Sequence, residues 1–428
     1  AEKNQRLLSI DRWVLPRIGS EEHHDFFLAS QHPSASPPLR RLASKYAMPA
    51  RMWRHGIHSF LELLRHRLPE SLEHMLSFLY LAYSMMALLY ETVPAFEDTW
   101  IECLGDLGRY RMAIEDDDIR DREVWTGVSR HWYSKASDKS PSTGRLYHHL
   151  AILARPNALQ QLYYYTKSLC VPLPFLSARE SIMTLFDPVL ASNPSCLSPI
   201  DFAFVRVHGI LFSGKSKRHS QEGMEEFLGL LDSSITRTTK RWLESGYYIG
   251  ISLACTLLGY GSESNSLFKT LATRQNPDDA DVPMDGATPE TSHDDTFDNA
   301  WSFALRTYRI VIHRWGHMDT LPFVHTALVF NNLMGHHPDA TANLEQQYSW
   351  RVTSTMLNYL FESLSCEPRI GGEFPLLEHE EAPRPLPEDY AMRGLVYAKD
   401  YFPSRWFTNE KIDEGEKHFE LVSMADER

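Results

Sequence analysis

The chain has 428 residues, of which 43% are hydrophobic and 23% charged, and its 43 Lys and Arg against 56 Asp and Glu give a net charge of −13. That is enough apolar surface for several packed cores, at roughly 100–200 residues per domain, or for one long repeat array. The acidic balance argues against a protein that coats nucleic acid non-specifically, while leaving room for a local basic face.

The longest runs free of charge and His, Met75–Tyr90 and Ser245–Ser262, fall short of the roughly 20 apolar residues a bilayer requires. The opening AEKNQRLLSIDRW has no apolar stretch of the signal-peptide kind. Neither a membrane protein nor a secreted one is expected. Cys103, Cys170, Cys196, Cys255 and Cys366 form no CxxC pair and read as reduced thiols of the nucleus or cytosol.

Read in chain order, the pattern is helical throughout and the expected class is all-α. Gln31–Arg41, with three prolines, reads as a flexible turn. Trp53, Ile57, Phe60, Leu61, Leu64 and Leu68 form one apolar helical stripe ended by Pro69. Leu72–Tyr90 is apolar around most of its circumference, which predicts a central, buried helix. Asp98 is the expected N-cap of a helix over Trp100–Ile114.

Trp132-Tyr133-Ser134-Lys135-Ala136 is then echoed by Tyr164-Tyr165-Thr166-Lys167-Ser168, 32 residues on. With the small residues Gly105, Gly108 and Ala136 this resembles the tetratricopeptide (TPR) hairpin, whose period is about 34. The Pro- and Ser-rich Asp187–Pro199 reads as a connection between two helical units. Further helices are expected at Phe202–Leu211, Met224–Ser233, Ile235–Leu258, Trp301–Arg314, Pro322–Met334 and Tyr348–Leu364. Residues 275–299 are polar and acidic, with seven Asp and one Glu inside Asp278–Asp298, and read as a disordered loop. Residues 366–390 are Pro-rich and are expected to be irregular.

Few signals of catalysis survive inspection. Gly209–Ser216 matches GxxxxGK[ST], but Ile210, Leu211 and Phe212 would crowd the phosphates, so a helix ending in a turn at Gly214 is expected instead. The paired histidines lack a full zinc ligand set, and His58 with Glu62 supplies only two of the groups needed. No metal, no cofactor and no catalytic residues are assigned, and the chain reads as a non-enzyme.

One constellation remains. Arg54, His58 and Arg65 fall within about 40° of one another at the 100° step of an α-helix, and Arg109-Tyr110 follows the small pair Gly105/Gly108 on a second helix. Arginine forks, a third cationic group and a hydroxyl donor are what a phosphate dianion needs. Read plainly, Arg54 and Arg65 are equally solvated surface groups that pair with Glu62.

RMWRHGIHSFLELLR, TWIECLGDLGRYR, GRLYHHLAILARPN, LYYYTKSLCVPLPF and FVRVHGILFSGKS occur in that order, and RPLPEDYAMRG follows at Arg384–Gly394. Together they resemble the family uniting the telomerase-associated Est-one protein with the SMG five, six and seven factors of nonsense-mediated mRNA decay, with filamentous-fungal members nearest in look. The resemblance implies a 14-3-3-like, TPR-containing domain over residues 1–190 and stacked helical hairpins, an α–α superhelix, over 200–428.

It further implies an adaptor of nucleus and cytoplasm that reads phosphoserine or phosphothreonine on a protein partner, the decay RNA helicase being the expected one. Arg109-Tyr110 matches the phosphate-gripping Arg-Tyr pair, His58 stands where the SMG-seven branch has lysine, and Arg65 where 14-3-3 proteins have a second arginine. A related family subunit is a further expected partner. The Est-one branch offers an alternative, binding of telomerase RNA or single-stranded DNA, for which Arg206, Lys215, Lys217 and Arg218 with Phe204 and Phe212 are the candidates. A phosphate-independent TPR scaffold is the third reading.

Deleting Asp278–Asp298 should shift the melting temperature little, because doubling a loop's length costs only about 0.6 kcal/mol. A large drop in a thermal scan would show that the segment packs.

Overall fold

The computed structural model describes residues 22–116, 118–191, 197–214, 217–273, 295–363, 374, 383–409, 412–413 and 415–417. Among these there is no strand, only one isolated bridge between Thr143 and Leu173, and the architecture is the all-α array of helical hairpins that the sequence pattern implies. Contacts divide the chain into two compact units, Ala1–Ser140 and Pro141–Arg428.

In the first unit α1 (22–31) precedes α2 (Pro37–Lys45) and α3 (Met48–Arg51). A π-helical segment, Met52–His58, runs directly into α4 (Ser59–Arg65). Then come α5 (Leu72–Thr92), α6 (Glu97–Ala113) and α7 (Ile119–Lys139). Asp118 caps α7, its carboxylate accepting the Arg120 N–H at 2.8 Å.

The α6–α7 hairpin is close because side chains are missing at its crossing. A Cβ on Gly108 would lie 3.2 Å from the Ser129 backbone, and one on Gly105 would lie 3.0 Å from the Tyr133 ring. The Ser129 hydroxyl donates to the Gly105 carbonyl at 2.8 Å, which satisfies a buried polar group at the same point. Met75, Phe78, Leu79, Ala82, Met86 and Leu89 of α5 enter the core, each of the larger side chains, Ala82 aside, contributing about 1.5–3 kcal/mol.

The second unit begins with the hairpin α8 (Gly144–Leu153) and α9 (Ala158–Leu169). The short α10 (Ala178–Ser181) and α11 (Met183–Leu190) lead to α12 (Pro199–Ser213), α13 (Lys217–Thr238) and α14 (Trp242–Leu257). After these come α15 (Ser266–Thr273), α16 (Asp295–Ile312), α17 (Leu321–Gly335), α18 (Pro338–Gln347), α19 (Trp350–Ser363) and α20 (Pro387–Met392).

The repeated aromatic-Lys motif recurs with the same job in both units. Lys135 donates to Tyr90 Oη at 2.5 Å and lies over the Tyr90 and Trp132 rings. Lys167, only 2% exposed, sits 4.3 Å above the Tyr147 ring. It donates to the Ala391 carbonyl at 2.6 Å, and Tyr163 Oη donates to the same oxygen at 2.9 Å.

In the second unit α9 packs on α14 and carries the 387–398 segment, whose Val396 N–H bonds the Cys170 carbonyl at 3.0 Å. Several expectations for individual elements are corrected. Residues 187–190 belong to α11 and Pro199 opens α12, so only the middle of that connection, residues 192–196, lies outside the described residues. The turn expected at Gln31–Arg41 is shorter, since Pro37 starts a helix, where its missing N–H has no intrahelical partner to lose.

Asp98 lies within the first turn of α6 rather than capping it, because a 3₁₀ turn over Pro94–Phe96 already winds the chain, and the Asp98 carboxylate pairs with Lys139 at 3.5 Å. Helix α5 is buried on one side only, with Tyr80 78% and Leu88 49% exposed. It is long and apolar enough by composition to cross a membrane. The break expected at residue 234 falls instead at the 3₁₀ turn Thr239–Arg241. Within 275–299 the described residues 295–299 are helical, and within 366–390 residues 387–390 are. There Asp389 accepts the Leu386 N–H at 3.0 Å and Trp406 Nε1–H at 3.1 Å. The remainder of both stretches, apart from Phe374 and 383–386, lies outside the described residues.

Gly108→Val should lower the unfolding free energy by about 2 kcal/mol, since its nearest neighbour is backbone that cannot swing away. Gly127→Ala on the same hairpin, with no atom within 4 Å of the new methyl, should instead stabilise by about 0.5–1 kcal/mol. Urea unfolding of both variants checks the pair of opposite signs.

Candidate functional site

The π-helical segment sets the first half of the site. The Ser59 N–H reaches back to the Arg54 carbonyl, five residues away, and the Ser59 hydroxyl donates to the same oxygen at 2.6 Å. Met52 and Ile57 are buried and hold the segment to the core. The wider winding invalidates the 100° step across Arg54–His58. Arg54 is exposed, and the structure shows no side-chain contact between it and the other site residues among those described.

His58, Arg65, Arg109 and Tyr110 do come together. The His58 ring meets the Tyr110 ring edge-on, centroids 6.2 Å apart. Tyr110 Oη donates to Glu62 Oε1 at 2.5 Å, while Arg65 Nη2 donates to Glu62 Oε2 at 2.6 Å. One carboxylate therefore links the π/α4 helix to α6. Arg109 lies 5.8 Å from the Tyr110 centroid and donates from Nη2 to Asp106 Oδ1 at 3.0 Å, where Tyr133 Oη also donates at 2.5 Å. The buried Nε of Arg109 has no hydrogen-bond partner among the described residues.

The electrostatics follow from these contacts. The Tyr110 hydrogen bond, with Arg65 adding to it, holds the Glu62 carboxyl below its usual range against the opposing effect of burial. Burial, reinforced by the hydrogen bond to Glu62, pushes the Tyr110 phenol up, and burial with the Asp106 charge does the same to Tyr133. Burial works against the Arg109 cation, but Tyr133 and Asp106 outweigh it and keep the guanidinium firmly protonated.

Glu62 and Asp106 are what the reading of the sequence passed over as parts of the site. The signal was present: each carboxylate stands three residues before the arginine it pairs with, the spacing at which helix side chains meet. Two arginines against two carboxylates leave the cluster without net formal charge. The exposed Glu62–Arg65 pair, with Arg65 52% exposed, is the easier to open, because solvated ion pairs are held weakly.

The second candidate set is more scattered. Arg206 on α12 is 25% exposed and lies 3.4 Å from Glu226. Lys215 lies outside the described residues, and Lys217 and Arg218 open α13 with their side chains outside the description. Phe204 is not a stacking platform, being 1% exposed and packed against Phe227. Phe212 is covered by Phe186, Tyr260 and the Arg179 guanidinium. The phosphate-loop match over Gly209–Ser216 is a helix end as far as it is described, with Gly214 left-handed at φ 64°. His208 beside it is fully buried, which pushes its imidazole down to about 3.

Comparison with known proteins places residues 129–402 within the model of the Est1 DNA/RNA binding domain. The telomerase-binding protein EST1A of Danio rerio is 41% identical over 87 residues, which is 20% of this chain and 5% of that protein. The EST/SMG-like protein 2 of Saccharomyces cerevisiae is 24% identical over 189 residues, 41% of this chain and 15% of the relative. The nonsense-mediated mRNA decay factor SMG7 of Arabidopsis thaliana is 35% identical over 86 residues, 20% of this chain and 8% of that factor. The chain thus spans only 5 to 15% of these relatives.

Tyr110→Phe should raise the carboxyl pKa of Glu62 towards the usual carboxylate range, read by NMR titration of side-chain carboxyl carbons. The sign follows from the depressed native value: the stabilisation from ionised Glu62 is present above the unfolded pKa of about 4.3 and is lost as pH falls through the lower native value. The variant should accordingly lose less stability than wild type on acidification through that window. An unchanged titration would remove the hydrogen bond from the account.

Proposed function

Because this chain belongs to the Est1 DNA/RNA binding domain family, with 129–402 matched, we propose that it is a non-enzymatic adaptor of mRNA surveillance and telomere maintenance. In this reading it reads phosphoserine or phosphothreonine on a protein partner, such as the decay RNA helicase, and works in nucleus and cytoplasm. The observation that supports the reading is the convergence of Arg65 and Tyr110 on the single carboxylate of Glu62, with the His58 ring edge-on to Tyr110 and Arg109 beside it. A phosphate dianion offers the same donors a doubly charged acceptor, and a guanidinium fork and a phenol O–H serve it at least as well as they serve a carboxylate.

Fluorescence anisotropy with a labelled phosphoserine peptide library and its unphosphorylated twin tests this. The phosphorylated set should bind more tightly. Arg65→Glu, on an exposed side chain, and Arg109→Glu should each cost at least about 3 kcal/mol, or about a hundredfold, with the helical circular-dichroism spectrum retained for Arg65→Glu. Glu62→Gln should strengthen binding, because it removes the internal competitor while keeping the shape. Equal binding of both peptide sets would leave a phosphate-independent scaffold.

A second reading is favoured by what the matched family model describes, DNA and RNA binding over 129–402. Here Arg206, Lys215, Lys217 and Arg218 would follow a single-stranded backbone. Four phosphate contacts predict a slope of about −3 in log affinity against log salt, and each charge removed should reduce it by about 0.7.

A further inference from the structure

The corner between α13 and α14 carries positive charge without a counter-charge. Arg237, Lys240 and Arg241 fall within five residues, all exposed, and no Asp or Glu occurs from Ser233 to Leu243. None of the three has an ion pair or a side-chain hydrogen bond among the described residues. In a chain of net charge −13 this sets them apart from Arg65, Arg109 and Arg206, each of which faces a carboxylate.

The backbone holds these cations at the surface. Thr239–Arg241 is a 3₁₀ turn, and Thr239 takes the left-handed conformation at φ 47°, an outlier for a β-branched residue. Trp242, which opens α14 next, is buried and packs on Phe323. The turn is thus anchored from inside while its charged residues stay in solvent.

A second segment completes the corner. Arg314 donates from Nη1 to the Asp232 carbonyl at 3.1 Å and to the Asp232 carboxylate, and from Nη2 to the Thr236 hydroxyl at 2.8 Å. The turn that follows, through Gly316 at φ 77°, is thereby fixed to the end of α13, and Met318–Thr320 touches Thr239–Arg241. It presents Trp315, 46% exposed and in no ring contact among the described residues. Tyr359 of α19, 44% exposed, lies beside Gly316, where a Cβ would come within 2.9 Å of its hydroxyl.

Unpaired cations next to an open aromatic face are the two elements that bind a single strand. Counterion release rewards contacts to phosphate most where the cation has no internal partner, and unpaired bases stack on a bare ring. We propose that this corner of the second unit is a docking surface for single-stranded nucleic acid, with Arg237, Lys240 and Arg241 on its phosphates and a base stacked on Trp315. This placement rests on the second reading above, within whose matched range 129–402 the corner lies. It adds the open ring that Phe204 and Phe212, both covered, do not supply.

Fluorescence anisotropy of the full chain with a labelled oligodeoxythymidine of about twelve nucleotides tests it, beside the duplex of that strand and polyglutamate of equal charge. Arg237→Gln, Lys240→Gln and Arg241→Gln combined should keep the melting temperature, since none has a partner to lose. The combination should reduce the slope of log affinity against log salt by about 2, at about 0.7 per charge. Trp315→Ala should weaken binding roughly five- to hundredfold with the slope unchanged, while Trp315→Phe, which keeps a ring, should retain most of it. The duplex and polyglutamate, neither with a free base to stack, should bind at least about tenfold more weakly.

Unchanged binding in both the triple variant and Trp315→Ala would overturn the placement. Loss of binding in Lys217→Gln with Arg218→Gln would then keep the nucleic-acid reading at its other residues. No saturable binding of the strand by the wild-type chain would overturn both. Polyglutamate bound as tightly as the strand would overturn the placement in favour of an acidic protein partner.

Discussion

Among the described residues helix packs on helix without sheets, and the closest approaches come from missing side chains. Gly105 and Gly108 let α6 lie on Ser129 and Tyr133 of α7, and Gly250 lets α14 lie on Thr326 of α17. These contacts decide where everything else points. With Gly105 and Gly108 turned to α7, Asp106 is left beside them to receive the Tyr133 hydroxyl, and Arg109 follows one turn later to share that carboxylate. Tyr110, one step further round, reaches across to Glu62. The candidate site is thus a consequence of the helix crossing.

The same crossing explains why the site is guarded. Its arginines are not held ready in water; each already has a carboxylate three residues upstream in its own helix. The two pairs differ in exposure, and that difference divides their roles. Arg109 is held by a bond to Asp106, which a buried tyrosine shares, so its guanidinium is oriented before any ligand arrives. Arg65 is exposed, and its carboxylate can rotate away. A ligand that displaces only Glu62 meets one arginine already in place and one newly released, together with a phenol that has lost its acceptor. On the proposed reading a dianion would be favoured over a carboxylate, because a singly charged ligand would gain little over the residue it replaces.

Much of this was legible in the sequence. Helical periodicity, the small residues of α6 and the order of five motifs carried the class and the family, and Arg109-Tyr110, His58 and Arg65 do meet in space. What failed was winding and partnership. Arg54 was placed with the cluster on a uniform 100° step, and a π-helical segment is invisible to that arithmetic, since one extra residue in a turn leaves composition and periodicity almost unchanged. Glu62 was seen as an alternative partner of Arg65, but its bond to Tyr110 spans 48 residues and depends on tertiary packing. Phe204 looked available for stacking because burial of one aromatic among many cannot be read from a helix that is apolar on most sides.

The boundary between the units gives the two functional readings separate physical addresses. The family match begins at residue 129, inside the last helix of the first unit, and runs to 402. His58, Glu62, Arg65, Asp106, Arg109 and Tyr110 lie before it, and Tyr133 and Arg206 lie within it. The two readings also differ in how charge is arranged. The cluster is balanced by internal carboxylates, and the phosphate reading proposes a multiply charged, sharply localised ligand for it. A single strand of nucleic acid spreads one charge per phosphate along its length and gains most where cations are unpaired. Arg206, already 3.4 Å from Glu226, is a weak anchor for such a strand taken alone, so that reading depends on Lys215, Lys217 and Arg218 acting with it. The phosphate reading draws instead on Arg65 and Tyr110, which share Glu62 as one acceptor, and on Arg109, which is held by Asp106.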